Sequence, residues 1–199
     1  MKSKYFFIFI FFIFLLISQS SLNAQSLNKQ EIDGIMLMRE EEKLARDVYL
    51  YLYEKWGIRT FYNIYKSEQT HMDAVKTIID QYNLTDPLKY DQFGSFSDEG
   101  LKKLYNQLTK EGSKSQADAI SIGLLIEELD ISDLQKLLNN TDNKDIILVY
   151  ENLLKGSRNH LRAFYNQAKK YRINYETKYI TSEEFNNIVS TSQEKGLDQ

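Results

Sequence analysis

The chain of 199 residues contains no cysteine, and this absence removes several classes of site. Disulfides, thiolate metal ligands, a cysteine nucleophile and a lipoprotein anchor on cysteine are all excluded. Pro87 is the single proline and there are eight glycines, so little in the sequence interrupts long helices. Basic residues are also not in excess, because the formal net charge is −3 at pH 7, and this argues against nucleic-acid binding.

The first 24 residues have the pattern of a secretory signal peptide. Lys2 and Lys4 precede an apolar run at 5–17, and small polar residues follow as far as Ala24. The run is shorter than the roughly 20 residues that a membrane span needs. We therefore expect cleavage after Ala24 and export to the periplasm or the medium, with no stable membrane span afterwards. An uncleaved N-terminal anchor is the alternative interpretation.

Helical spacing of apolar residues dominates the mature chain. It recurs in four long stretches, 29–56, 60–83, 116–139 and 144–171. The first two stretches and the last two are each joined by a short connection, which predicts two helical hairpins at 29–83 and 115–172. The sequence therefore predicts an all-α fold, a ferritin-like four-helix bundle with one long crossover.

The remaining segments set the limits of the domain, which we place at 25–190. The crossover at 84–114 contains a short helical pattern that opens near Ser97 and closes at Gly112. Residues 179–190 are expected to form a short C-terminal helix that caps the bundle. Residues 191–199 are expected to be a flexible tail.

Each of the four long patterns carries polar residues in the middle of its apolar face, and the two histidines of the chain are both among them. In a bundle these groups would meet at one depth, because each hairpin offers an acid from its first helix and a histidine from its second. Carboxylates and imidazoles without thiolates suit iron, manganese or zinc. The residues are, in chain order, Glu42, Glu68, His71, Glu127, Ser157 and His160.

Spacing alone leaves several assignments open. A buried network of glutamate–histidine ion pairs without metal fits the same pattern. In another interpretation Glu127 turns outward and Glu128 is only surface charge. Glu41 lies on an apolar stripe of its own, so periodicity does not choose between Glu41 and Glu42. Tyr49 is expected to be a core aromatic residue rather than a neighbour of the metal.

Several strings of residues resemble a known family. The segment 42–49, with its glutamate, alanine and tyrosine, is similar to the first-helix signature of rubrerythrin-type proteins, and 68–71 is similar to their second-helix Glu-x-x-His pair. The longer strings 38–47 and 156–164 resemble an uncharacterised bacterial and archaeal branch of the ferritin-like superfamily, domain of unknown function 2202. The resemblance covers roughly residues 29–188.

The resemblance implies a di-iron site and selects Glu42 over Glu41. In the family's usual pattern the fourth helix bears Glu-x-x-His, but here Ser157 stands at the glutamate position. Glu128 and Asp130 are the candidates to compensate, whereas Glu151 is half a turn out of phase with His160. The implied metal ligands are Glu42, Glu68, His71, Glu127 and His160, with Glu128, Asp130 and Ser157 as additional candidates.

The function implied by the resemblance is redox chemistry outside the cytoplasm. The partners would be two iron ions, with manganese or zinc as alternatives, and dioxygen or peroxide. No residue can be given a catalytic role from the sequence. The alternative is a non-enzymatic helical module that binds a metal or a partner protein, and the incomplete ligand set favours it. A homodimer is compatible with either function, and no nucleic-acid partner is expected.

Overall fold

The computed structural model describes residues 26–196, which form six α-helices and contain no strand. The expected all-α chain is confirmed, and the four long helices begin and end within two residues of their sequence patterns. The predicted signal peptide at 1–24 lies outside the described residues. Among residues 26–196, no helix combines the length and the apolar character needed to cross a membrane. The helices are α1 Lys29–Trp56, α2 Arg59–Gln81, α3 Glu99–Gly112, α4 Gln116–Leu138, α5 Lys144–Tyr171 and α6 Ser182–Ser190.

Capping side chains determine where the long helices begin. Asn28 Oδ1 accepts the Glu31 N–H at 3.0 Å while the Glu31 carboxylate accepts the Asn28 N–H at 2.9 Å, which is a capping box. Ser115 begins α4, as the sequence predicts, by accepting the Asp118 N–H. Gly57 ends α1 at φ 66°, a left-handed conformation that suits glycine. The short link after it returns α2 along α1.

The helices pack as two hairpins that face each other. The closest pairs are α1 with α2 and α4 with α5, and contacts of α2 with α5 and of α1 with α4 join the hairpins. The crossover helix α3 packs on α1 and α4, and α6 packs on α5. Two apolar clusters fill the interior, one around Tyr49, Phe61 and Phe164 and the other around Met38 and Ile79. On α1, α2 and α5 the polar residues at the middle of the apolar face fall between these clusters.

A row of buried charges on α1 holds the crossover in place. Lys43 and Asp47 pair with each other at complete burial, and Lys43 Nζ also donates to the Gln92 carbonyl at 2.8 Å. Asp47 accepts the Gly94 N–H at 2.9 Å, and Arg46 pairs with both Asp47 and Asp91. Apolar periodicity assigns these charged residues to solvent. The folded crossover buries them instead.

The C-terminal segment also lies against α5. Glu194 accepts hydrogen bonds from Arg158 at 2.5 Å and from Arg162 at 2.9 Å, and its N–H donates to Asn159. This glutamate belongs to the segment that the sequence suggests is flexible. Residues 197–199 of that segment lie outside the described residues.

Candidate metal centre

Glu68 lies at the middle of the polar layer, between the two histidines. Its Oε2 is 2.7 Å from His71 Nδ1, one turn further along α2, and its Oε1 is 2.9 Å from His160 Nδ1 on α5. The two imidazole rings stack with their centroids 5.3 Å apart. Glu68, His71 and His160 can each offer a ligand atom within 4.8 Å of the other two, and all three are buried. One carboxylate therefore bridges two imidazoles.

The other two acids approach from the remaining long helices. Glu42 Oε2 on α1 is 3.1 Å from His71 Nδ1, and Glu127 Oε2 on α4 is 3.5 Å from His160 Nδ1. Each histidine nitrogen thus faces two carboxylates, although an imidazole Nδ1 carries at most one hydrogen. The structure brings together all five residues that the family resemblance implies. We call Glu42, Glu68, His71, Glu127 and His160 the central cluster.

Mutual charge controls the protonation of the central cluster. Burial opposes the charged imidazoles, but the adjacent carboxylates outweigh it and raise the pKa of His160 to about 10 and that of His71 well above 6.5. For Glu42 burial acts in the other direction, because it disfavours the charged carboxylate. It raises the pKa of Glu42 to about 7, despite the opposing effect of His71. For Glu68, burial alone would raise the pKa, and the two histidines lower it far below 4.5. Without a cation, the protonated histidines balance the negative charge of the buried carboxylates.

Two buried atoms of the central cluster have no hydrogen-bond partner among residues 26–196. They are Glu42 Oε1 and His160 Nδ1, the second because its contact with Glu68 lacks hydrogen-bond geometry. Glu42 is 1% exposed, so bulk solvent does not reach the free oxygen. A buried carboxylate oxygen and an imidazole nitrogen that has lost its proton are donor atoms for a metal ion. The donor set and its free atoms therefore fit a cation.

Tyr49 is both a core residue and a neighbour of the central cluster. Its ring packs against Phe61 and Phe164, with centroid distances of 5.9 and 5.2 Å, in agreement with the core assignment from sequence. Its hydroxyl also donates to Glu127 Oε1 at 2.5 Å. This bond fixes the rotamer of Glu127 and leaves Oε2 directed toward His160. Such a bond is the usual way in which an outer residue orients a metal ligand.

Gly156 makes room for His71, a role that the sequence analysis does not assign. A Cβ atom at this position of α5 would lie 2.4 Å from His71 Nε2 and 2.5 Å from Cε1, closer than atoms can approach. The glycine therefore lets the imidazole ring lie directly against the α5 backbone. Glycine inside a helix is otherwise unfavourable, and this is the signal that could have identified it.

Ser157 stands where the family resemblance implies a glutamate, and its side chain contacts Asp130. Ser157 is completely buried, and its Oγ donates to Asp130 Oδ2 across the α4–α5 interface. Burial, then the charges of Glu42 and Glu127, raise the pKa of Asp130 well above 3.8. Asp130 therefore lies within electrostatic reach of the central cluster. Glu151, in contrast, is exposed, in agreement with its helical phase.

Glu128 does not lie with the central cluster, although the sequence makes it a candidate. Its Oε2 accepts the backbone N–H groups of Lys178 and Tyr179, at 2.7 and 2.9 Å. The residue is fully buried because the segment after α5 covers this side of α4. Its role is to hold that segment. Glu127 does not turn outward either, because its buried carboxylate faces His160.

Glu41 faces a different part of the interior from Glu42. It is 9% exposed and lines a cleft between α1, α3 and α4 together with Asp130. Burial, followed by the charge of Asp133, raises its pKa to about 8. Among residues 26–196, no hydrogen bond or ion pair joins its carboxylate to either histidine. The residue that periodicity could not separate from Glu42 thus lies outside the central cluster.

Comparisons with known proteins place the chain in a family. A family model described as an uncharacterized protein domain, DUF2202, matches residues 31–192. The uncharacterized protein MJ0754 of Methanocaldococcus jannaschii is 52% identical over 180 residues, which cover 90% of this chain and 97% of that protein. A crystal structure of the hypothetical protein MJ0754 from Methanococcus jannaschii matches with a TM-score of 0.85 at 53% identity, covering 88% of this chain and all of that one.

Proposed function

We propose that this chain, which belongs to the DUF2202 family, is a ferritin-like metalloprotein whose central cluster binds two metal ions, with iron as the first candidate. The observation that carries the proposal is the bridging position of Glu68, whose two oxygens lie 2.7 and 2.9 Å from the nitrogens of two different histidines. In ferritin-like di-iron proteins, glutamates and Glu-x-x-His pairs project inward from four helices in a similar way.

The assignment of ligands follows from the contacts. Glu68 would bridge the two ions, His71 and Glu42 would bind one of them, and His160 and Glu127 the other. Asp130, held by Ser157, would supply the carboxylate that the fourth helix lacks. The simplest occupied state is one ion held by Glu68, His71 and His160, the two-histidine, one-carboxylate set of many non-haem iron sites.

Iron held by these ligands would supply the redox chemistry by which electrons pass from Fe(II) to dioxygen or peroxide, so that Fe(II) is oxidised and the oxidant is reduced. The residues around it bind, orient and exclude water. Tyr49 fixes the orientation of Glu127, and Gly156 lets His71 reach the cluster. The apolar clusters on both sides of the polar layer keep bulk solvent away. Export through the predicted signal peptide belongs to the same proposal, and an intact mass that retains residues 1–24 would contradict it.

A structural polar layer without a cation is the second candidate. It is favoured by one observation, that both histidines already lie between carboxylates and are held protonated by them. In that case the protein would be a non-enzymatic module. The two candidates differ in metal content, because a layer neutralised by protons has no need of a metal.

The experiment measures metal in protein purified from its own host, and melting temperature with and without a chelator. We expect about two equivalents of iron, manganese or zinc and a lower melting temperature after chelation, because a ligand that binds only the folded state stabilises it. Glu68→Gln should weaken metal binding by at least about 100-fold, since losing even an outer partner costs 10–100-fold. The matched control is Glu151→Gln, an exposed acid on α5.

Turnover on added Fe(II) and peroxide then separates an enzyme from a passive binder. If the wild-type protein takes up no iron, manganese or zinc under anaerobic conditions and chelators leave its melting temperature unchanged, the metal proposal is wrong. The structural polar layer would then be the remaining interpretation.

A further inference from the structure

A narrow cleft lies between α1, α3 and α4, and one of its lining residues is Asp130, which accepts the hydrogen bond from Ser157. Its walls are mostly aliphatic, with Leu44, Leu101 and Leu129 among them, and its two polar residues are both acids, Glu41 and Asp130. The free volume inside is about 10 Å³, which is room for one water molecule or one small ion. We call it the Glu41–Asp130 cleft. Its size excludes an organic substrate.

Within residues 26–196, no hydrogen bond or ion pair accounts for the burial of Glu41. Only 9% of the residue is exposed, and Oε2 makes no hydrogen bond within residues 26–196. The neighbouring buried acid Glu40 is occupied, in contrast, since it accepts the backbone N–H groups of Ser97 and Asp98. An unpartnered carboxylate in an apolar cleft is unfavourable unless something else binds it. A cation is the natural ligand for such a group.

Asp130 connects the cleft with the central cluster. It lines the cleft beside Glu41, and its Oδ2 accepts the hydrogen bond from Ser157, which lies one helical turn before His160 on α5. It also follows Glu127 by one turn of α4. A cation held at Glu41 would therefore meet Asp130 next and the cluster after it.

We propose that the Glu41–Asp130 cleft is the path by which divalent cations reach the central cluster, with Glu41 as the first carboxylate to bind them and Asp130 as the second. The inference rests on the proposed function, since it assumes that the cluster binds metal. Glu41 and Asp130 supply the oxygen ligands that a divalent cation accepts, and aliphatic side chains form the other walls of the cleft. The rival path runs past the histidine edges, which are 9% and 8% exposed, but Gly156 closes against His71 there.

The test follows the rate of metal uptake by the metal-free full chain after rapid mixing with Co(II), whose visible absorption reports coordination. Glu41→Gln should slow uptake on the order of tenfold, because the carboxylate that first binds the cation is replaced by a neutral amide, which is a weaker ligand. The final Co(II) stoichiometry and the affinity should stay as in the wild type. An entry path changes the rates of Co(II) binding and release by the same factor, so the equilibrium does not change. Glu151→Gln, which removes an exposed acid on α5, should leave the rate unchanged.

A second variant blocks the cleft without changing its charge. Ala45→Val adds two methyl groups to the wall and should also slow uptake, provided that circular dichroism shows the same helix content as the wild type. Uptake at the wild-type rate in Glu41→Gln and in Ala45→Val would overturn the path while leaving the proposed function intact. Loss of bound Co(II) in Glu41→Gln would overturn it too, since Glu41 would then be a ligand of the cluster. Absence of Co(II) binding in the wild type would instead refute the proposed function.

Discussion

Ser157 Oγ donates a hydrogen bond to Asp130 Oδ2 and so joins α5 to α4 at the level of the central cluster. The same serine oxygen lies 3.0 Å from the Leu153 carbonyl of its own helix. The family resemblance implies a glutamate at position 157 of α5. In this chain the carboxylate nearest to that position is instead that of Asp130 on α4. Because the side chains at positions 130 and 157 are in contact, a carboxylate at either position would lie in nearly the same part of the site.

The first prediction tests this exchange of positions. Asp130→Asn should reduce metal stoichiometry from two toward one, because a neutral amide is a weaker ligand than a carboxylate. Adding Ser157→Glu to that variant should restore the second ion, since the new carboxylate occupies the same space from the other helix. Metal analysis of the single and double variants is the measurement. If Asp130→Asn retains two ions, Asp130 is not a ligand.

The second prediction concerns the fit of His71 against α5. Gly156→Ala should weaken metal affinity by about tenfold or more, because the added Cβ would lie 2.4 Å from His71 Nε2 and displace the ring. Helix propensity alone would favour alanine by about 0.5–1 kcal/mol, so a loss of affinity cannot be ascribed to a weaker helix. Titration with Mn(II) measures the change, and Lys155→Ala on the same helix is the control. Equal affinities for Gly156→Ala and wild type would show that His71 does not need this contact.

The third prediction separates the adjacent acids of α4. Glu127→Gln should weaken metal binding, because it removes a carboxylate that faces His160 while keeping an oxygen that can accept from Tyr49. Glu128→Ala should leave metal binding intact and cost about 3 kcal/mol of stability, since two backbone N–H groups lose a charged acceptor. Hydrogen exchange at the amides of Lys178 and Tyr179 should accelerate in Glu128→Ala alone. Weaker metal binding in Glu128→Ala would show that this assignment of the two acids is wrong.

The fourth prediction is a pH dependence of the metal-free protein. The pKa of His160 is raised to about 10 and that of His71 well above 6.5, so the stability that their protonation contributes is complete below about 6.5 and lost as the pH rises. The raised pKa of Glu42, about 7, acts in the same direction, because the folded state favours its protonated form. The melting temperature of metal-free protein should therefore fall between pH 6 and pH 9.

Metal binding must release these protons, so affinity should rise over the same pH range. The difference in melting temperature with and without Mn(II) should consequently widen from pH 6 to pH 9. A proton count by calorimetry in buffers of different ionisation enthalpy provides an independent check. A difference that narrows with rising pH would contradict the protonation states described here.

Much of this architecture is legible in the sequence, because it depends on local chemistry. Long helices follow from the scarcity of proline and glycine and from apolar periodicity, and their ends follow from caps such as Ser115 and Gly57. The positions of Glu42, Glu68 and His71 on apolar faces follow from the same period of 3.6 residues. A residue's phase around its own helix is set by sequence alone.

What surrounds each face was decided by the tertiary structure. Glu127 and Glu128 are 1% and 0% exposed, so burial does not distinguish them. Successive helical residues point about 100° apart, and α4 is covered on one side by the polar layer and on the other by the segment after α5. The burial of Lys43 and Asp47, the space beside Gly156 and the meeting of Asp130 with Ser157 depend in the same way on chain segments distant in sequence. Periodicity tells which residues face inward, and only packing between helices determines what they meet there.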